Sequence, residues 1–252
     1  TLKPNNMPKV SIIIPSYNHA KYLREAIDSA LNQTYKDFEI VILDDGSKDE
    51  SVRIIQSYKD DRIRTFFFEE NSGGVAAANF LISKAKGKYI TLLNSDDAFY
   101  PEKVEKQLDY LEKHQKTAAV FAFAQAIDDD GEDIVPNPFY FEPREINGSK
   151  EDLLKKLFYE WNQFIHPSIM IRKDVYSDIG LYDDRFAQMP DYIEWVKLCF
   201  KHNVYVMPEK LIRFRTRAND MNTSSGKRKG VMDRSYFEYQ FLLEEYYNNI
   251  ND

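Results

Sequence analysis

A chain of 252 residues can form one large α/β domain or two small ones, and its 43% hydrophobic and 30% charged residues are the balance of a soluble globular protein. No run approaches the roughly 18 apolar residues that span a membrane, no signal peptide is visible, and a single cysteine, Cys199, excludes an internal disulfide framework, which fits a reducing, cytoplasmic compartment. The net charge of −7 disfavours nucleic acid as a general partner, while a single nucleotide stays within reach if a cation and a few local groups offset its phosphates.

The chain opens Thr1-Leu2-Lys3, without methionine, as a fragment of a longer protein would, and residues 1–8 read as a linker or tail. The first half alternates apolar runs with amphipathic segments. Val10 to Ile14 reads as a strand, and Lys21 to Asn32 as a helix with Tyr22, Leu23, Ala26, Ile27, Ala30 and Leu31 on one face. Phe38 to Leu43 is a second strand, Lys48 to Tyr58 a helix, and Ile63 to Phe68 a third strand. Val75 to Lys86 is a small-residue helix that Gly87 is expected to stop. Tyr89 to Leu93 is a fourth strand, Pro101 to His114 a helix opened by proline, and Ala118 to Ile127 a fifth strand.

After Ile127 the pattern loosens. Asp128-Asp129-Asp130-Gly131 reads as a hairpin turn; it lacks the spacing of a calcium loop, whose last position would fall on Asn137. Residues 134–148 read as an irregular loop and Glu151 to Trp161 as a helix. Ile165 to Ile171 reads as a strand, Asp191 to Lys201 as a helix, and Val204 to Met207 and Leu211 to Phe214 as short strands. Residues 216–230 are polar and expected to be mobile, and Val231 to Tyr247 is an aromatic helix.

Apolar strands alternating with helices imply an α/β fold, a mostly parallel central sheet flanked by helices, which binds ligands outside the carboxyl ends of its strands. The polar clusters fall at those ends: Pro15-Ser16-Tyr17-Asn18 after the first strand, Asp44-Asp45-Gly46-Ser47 after the second, and Asn94-Ser95-Asp96-Asp97 after the fourth. The last cluster carries most information. Adjacent carboxylates at a partly desolvated strand end repel one another, and with no cationic side chain beside them in sequence they suit a hard divalent cation, Mg²⁺ or Mn²⁺, holding nucleotide phosphates. A polar turn capping the next helix is the plainer reading of the same residues. P-loop, dinucleotide-binding, His-Glu-x-x-His and Gly-x-Ser-x-Gly motifs are absent, and His19, His114, His166 and His202 are scattered.

These motifs, in this order, resemble family 2 glycosyltransferases of the inverting, bacterial type with the GT-A fold. The resemblance spans most of residues 9–215. It rests on Val10 to Asn18, Leu31-Asn32-Gln33-Thr34-Tyr35, Phe38 to Ser47, Gly73-Gly74-Val75-Ala76-Ala77-Ala78-Asn79, Gly87-Lys88-Tyr89-Ile90 and Asn94 to Asp97. It implies one domain over 9–215, with a nucleotide-sugar half at 9–127 and an acceptor half at 128–215, followed by a flexible segment and a C-terminal helix over 216–252. The nucleotide-binding residues it implies are Pro15, Ser16, Tyr17, Asn18, Asp44, Asp45, Gly74, Asn79, Asn94, Ser95 and Asp96. Tyr17 would lie against uracil and Asp45 would accept from its ring N–H, while an Asp that caps the helix at Lys48 is the competing reading of Asp45.

Asp97, with Asp96, would bind the cation, Mn²⁺ or Mg²⁺, that stabilises the departing diphosphate. Pro190-Asp191-Tyr192-Ile193-Glu194-Trp195 matches the family's base motif and gives Asp191 the role of general base, against a plain helix N-cap. The implied reaction moves a hexosyl or acetylhexosaminyl group from a UDP-sugar to a saccharide or lipid-linked acceptor, in surface polysaccharide or glycoconjugate synthesis. No nucleic acid and no transmembrane segment are implied; peripheral association with the inner membrane face is.

The chain departs from the family at Ala78, where Arg is frequent, at Asn94, where Asp is usual, and at Pro190, where an acidic residue is usual. Arg213-Phe214-Arg215-Thr216-Arg217 falls where the family often carries an arginine-rich segment, to be read either as a diphosphate contact or as a solvated basic strand end. A sugar-phosphate nucleotidyltransferase is an alternative, disfavoured because residues 15–20 lack the glycine and arginine of a triphosphate loop. A GT-A scaffold without catalysis is another.

Overall fold

The computed structural model describes residues 7–135, 143–217 and 230–250. The first three apolar runs form β1 (Val10–Ser16), β2 (Phe38–Asp45) and β3 (Ile63–Phe68), separated by α1 (Leu23–Leu31) and α2 (Ser51–Ser57). α3 (Gly74–Lys84) leads into β4 (Tyr89–Leu92). These strands pair in parallel in the order β3-β2-β1-β4. β2 is buried at every position, as a strand covered on both faces must be. Its residues alternate between two cores: Ile40 and Ile42 pack with Leu23, Ala26 and Ile27 of α1, and Val41 and Leu43 with Ala77, Ala78 and Leu81 of α3.

The remainder comprises β5 (Ala98–Phe99), α4 (Lys103–Lys113), β6 (Thr117–Ile127), α5 (Lys150–Glu160), β7 (Met170–Arg172), α6 (Tyr176–Ile179), α7 (Pro190–Lys201), β8 (Asn203–Arg215) and α8 (Val231–Ile250). It extends the sheet to eight strands in the order β3-β2-β1-β4-β7-β6-β8-β5, with β7 antiparallel to both neighbours and β8 parallel to β6. The sheet is therefore parallel through the first half and mixed beyond it. The carboxyl ends of β1, β2 and β4 meet along one edge, and β8 brings the end of the second half to that edge.

The departures from the sequence reading have local causes. The strand expected over Ile165 to Ile171 is a 3₁₀ turn at His166–Ser168 followed by β7, because Pro167 has no N–H for a ladder and the Ser168 hydroxyl donates back to the Ile165 carbonyl at 2.6 Å. The expected pair of short strands is one strand, β8, whose register against β6 shifts where Met207 and Lys210 flank Pro208. α3 ends at Lys84, before Gly87. Gly87 lets the chain pass β1, since a Cβ there would lie 2.6 Å from the Ser11 backbone nitrogen.

The turn at Asp128 to Gly131 forms as expected, with the Gly131 N–H on the Asp128 carbonyl at 3.1 Å and Ile127 bridging Asp133. Residues 1–6, 136–142, 218–229 and 251–252, which take in most of the expected tail and polar stretch and part of the expected loop, lie outside the described residues. No helix among the described residues is long and apolar enough to cross a membrane.

Candidate active site

The rim of the sheet edge is built from the loops after β1 and β2. Ser16 and Asp44 are register partners at the ends of those strands. Asp44 Oδ1 accepts the Ser47 N–H at 2.9 Å and closes the Asp44-Asp45-Gly46-Ser47 turn. Gly46 sits at φ +76, and a Cβ there would lie 2.7 Å from the Glu70 carbonyl carbon, so only glycine fits.

Asp45 reaches to the loop before α3. Its Oδ1 accepts from the Ser72 N–H at 2.8 Å and the Ser72 hydroxyl at 2.7 Å, and Oδ2 accepts from the Gly73 N–H at 2.9 Å. It does not cap Lys48, whose N–H donates to Asn18 Oδ1 at 2.7 Å. Asn18 adopts φ +52, a conformation asparagine tolerates, and its N–H reaches Ser47 Oγ at 2.8 Å. The β1 loop, the β2 turn and the start of α3 thus form one tied rim.

Pro15 is half-buried there, Tyr17 is exposed, and Gly74 opens onto free space, with no atom within 4 Å of where a Cβ would stand. Ser16 Oγ and Asp44 Oδ2 are buried without a hydrogen-bond partner. Such atoms cost roughly 1–3 kcal/mol each when left dry, so a polar ligand edge or an ordered water is favoured beside them.

The acidic turn lies between β4 and β5. Asp97 Oδ1 accepts the Arg215 backbone N–H at 2.8 Å, and Oδ2 accepts the Asn94 side-chain amide at 3.0 Å. Asn94 therefore supplies a donor that the family's usual Asp could not. Burial, reinforced by the neighbouring charge of Asp96, pushes the Asp97 carboxyl well above the usual carboxylate range. Asp96 Oδ2 lies 3.3 Å from Arg217 Nε and 3.9 Å from His19 Nε2. His19 Nδ1 meets Ser95 Oγ at 2.8 Å, and its Nε2 meets the Arg217 guanidinium at 2.9 Å. Burial holds His19 below its ordinary value, opposed by Asp96 and aided by Arg217.

The positive charge absent beside Asp96 and Asp97 in sequence arrives from the end of β8. Arg215 is 1% exposed; its Nε donates to the Asp96 carbonyl at 2.8 Å and one terminal nitrogen to the Asp128 carbonyl at 2.5 Å. Its other terminal nitrogen pairs with Glu25, and the guanidinium lies 4.7 Å from the Tyr22 ring centroid. Arg213 pairs with the other Glu25 oxygen at 2.8 Å. The segment is not a solvated strand end: Arg215 is built into the acidic turn and Arg217 sits on Asp96.

In the second half, Asp191 is the second residue of α7, after Pro190 at N1, and Met189 is the N-cap. Asp191 is thus not the helix cap; its Oδ2 accepts the Asn162 side-chain amide at 2.9 Å. Burial holds the His166 ring below its ordinary pKa, with Asp191 opposing, and His166 Nε2 lies 3.0 Å from the Tyr182 hydroxyl. Asn79, expected at the nucleotide, instead makes a reciprocal pair with the Tyr182 backbone at 2.8 and 3.0 Å, because α3 turns that position toward the second half. Sequence reading missed His19, Glu25 and Asn162 as site neighbours. Adjacency to the Ser16-Tyr17-Asn18 cluster could have found His19, whereas Glu25 and Asn162 carry no local signal.

Among the described residues, no three of His, Cys, Asp and Glu gather as a ligand set. Asp96 and Asp97 nonetheless fit Mg²⁺ or Mn²⁺, which bind through one or two carboxylates plus phosphate oxygens and water, and a cation would relieve the carboxyl that burial and Asp96 disfavour.

A sheet that is parallel through its first half, with polar loops and an acidic turn along one edge, is the architecture of the GT-A fold. The model of glycosyl transferase family 2 matches residues 11–180, and the chain belongs to that family. An uncharacterized glycosyltransferase of Rickettsia typhi is 39% identical over 220 residues, which cover 86% of this chain and 66% of the relative. The chain thus spans about two thirds of that relative's length. A putative teichuronic acid biosynthesis glycosyltransferase, TuaG of Bacillus subtilis, is 30% identical over 239 residues, 94% of this chain and 89% of the relative. The fold matches that of S. aureus TarS 1-349 in complex with UDP-GlcNAc, with a TM-score of 0.74 at 19% identity over 94% of this chain and 66% of that one.

Proposed function

We propose that this chain transfers a sugar from a UDP-sugar to an acceptor hydroxyl, with inversion, in the synthesis of a surface polysaccharide or glycoconjugate. The observation that carries the reading is the pair of orphaned buried atoms, Ser16 Oγ and Asp44 Oδ2, at the sheet edge that also presents Tyr17 and the Asp96-Asp97 turn. Tyr17 offers a ring face to uracil. Asp45 Oδ2 keeps a lone pair for a uracil N–H while the two oxygens hold the Ser72-Gly73 loop. Bound at Asp96 and Asp97, a divalent cation would neutralise charge on the departing diphosphate. Arg217, already at that turn, adds positive charge beside it.

Asp191 takes the proton from the acceptor hydroxyl as that oxygen attacks the anomeric carbon on the face opposite the diphosphate. One displacement inverts the centre, so no second nucleophile is needed. Asn162 orients the carboxylate by donating to one oxygen and leaves the other for the acceptor. The name of TuaG and the UDP-GlcNAc complex of TarS support a polysaccharide product and a UDP-sugar donor.

The test is Asp191→Asn. Transfer from a UDP-sugar, or donor hydrolysis where no acceptor is at hand, should fall by roughly 10²-fold or more, with UDP affinity and melting temperature nearly unchanged. Near-normal turnover in that variant removes Asp191 from the mechanism.

A further inference from the structure

One residue before Asn162, which holds the proposed base, the chain places a tryptophan where tryptophan is costly. Trp161 ends α5 at φ +66 and ψ −168, a region of backbone space that is essentially glycine's own. Helices commonly end on a glycine at such a point. Here the sequence retains the largest side chain, and the surroundings enforce the conformation: the buried Gln163 side chain donates to the Trp161 carbonyl at 3.1 Å, and Arg144 donates to Gln163 Oε1 at 2.7 Å. A ring kept for packing would be buried. Trp161 is instead 51% exposed, while the other tryptophan, Trp195, is fully buried.

The indole is also fixed in direction. Its centroid lies 5.3 Å from the Tyr239 ring of α8, tilted 36°, and 6.4 Å from the ring of Tyr192, the residue after Asp191. It is thus supported from behind and open in front. Trp161 and Asp191 are linked twice, through Asn162 and through Tyr192. A flat, rigid, half-exposed aromatic beside a base that must meet a hydroxyl has a natural ligand in a pyranose, whose apolar C–H face covers the ring while its hydroxyls remain wet.

We propose that Trp161 is the platform for the acceptor, and that the acceptor group bound there is a pyranose ring. Stacking one sugar face on the indole would direct an edge hydroxyl toward Asp191. This inference rests on Asp191 marking the acceptor side, and it narrows the acceptor to a saccharide, either free or at the head of a lipid carrier.

The test uses the whole chain saturated with UDP and a panel of methyl pyranosides as probes: glucose, galactose, N-acetylglucosamine, N-acetylgalactosamine and mannose. Saturation-transfer NMR should show magnetisation passing from protein aromatic protons to the ring C–H protons of at least one pyranoside. Trp161→Gly relieves the backbone strain, so its melting temperature should hold or rise while that transfer is lost and UDP affinity stays at the wild-type value. Trp161→Phe, which keeps a smaller face, should weaken pyranoside binding several-fold and serves if the glycine variant does not fold. Unchanged transfer in either variant, or no transfer to any pyranoside from a wild-type protein that binds UDP, overturns the proposal. A wild-type protein that does not bind UDP overturns the functional reading itself, a separate result read in the same samples.

Discussion

Arg215→Met is the perturbation that most directly tests how the acidic turn is held. Methionine keeps the apolar stem inside a site that is 1% exposed but removes every guanidinium donor. The buried Asp96 carbonyl then loses its 2.8 Å partner, at a cost of about 1–3 kcal/mol if it stays dry. The Asp128 carbonyl is nearer solvent and can rehydrate, so its loss should cost about 0.5–1.5 kcal/mol. Glu25 is 37% exposed and keeps Arg213, so that ion pair contributes only about 0.2–1 kcal/mol. The Arg215 backbone N–H still reaches Asp97. The expected loss is therefore about 2–5 kcal/mol, dominated by the orphaned carbonyls and not by the charge pair. Urea unfolding at pH 7 measures it, and UDP calorimetry on the same sample should show weakened binding as the turn shifts. Glu25→Gln should cost several-fold less. If Arg215→Met stays within about 0.5 kcal/mol of wild type, the surface-substitution range, with UDP affinity unchanged, the guanidinium does not organise this turn.

Glu194 is fully buried on α7, both its oxygens lack partners, and burial raises its carboxyl to about 8. The folded state therefore binds a proton that the unfolded state releases, so the Glu194 contribution to stability should fall as pH rises between the ordinary glutamate value and about 8, by at most about 1.4 kcal/mol per pH unit. Glu194→Gln should flatten that slope, and its stability relative to wild type should be higher at pH 8 than at pH 5; parallel curves in urea titrations at the two pH values would refute this. Asn79→Ala should cost about 1–3 kcal/mol through the lost pair with the Tyr182 backbone while leaving UDP affinity intact. A drop in UDP affinity with unchanged stability would return Asn79 to the nucleotide.

The first half was legible because its periodicity is strong: β1, β2 and β4 are near-continuous apolar runs, and their polar ends mark the ligand edge directly. Element ends and the second half were less so. Pro167 turned an expected strand into a 3₁₀ turn, and the break around Pro208 concealed one long strand as two. The site's charge balance was not readable at all, since Arg215 meets the Asp96-Asp97 turn across more than a hundred residues and β8 reaches that edge only through the sheet order. Asn94 looked like a lost carboxylate; in the fold it is the donor that holds Asp97. For Asp191 a plain N-cap was the competing reading of the sequence; in the fold Met189 holds the cap position and Asn162 donates to the carboxylate.

We propose that the edge formed by Ser16, Asp44, Asp96 and Asp97 binds a uridine diphosphate together with a divalent cation. Titrating UDP into the wild-type protein by calorimetry, in Mg²⁺ or Mn²⁺ and again in EDTA, tests it most directly, with Asp97→Asn and GDP as companions. UDP should bind with the cation present, that binding should be lost in EDTA and in Asp97→Asn, and GDP should bind more weakly. Equal UDP affinity in EDTA, or tighter binding of GDP, would contradict it.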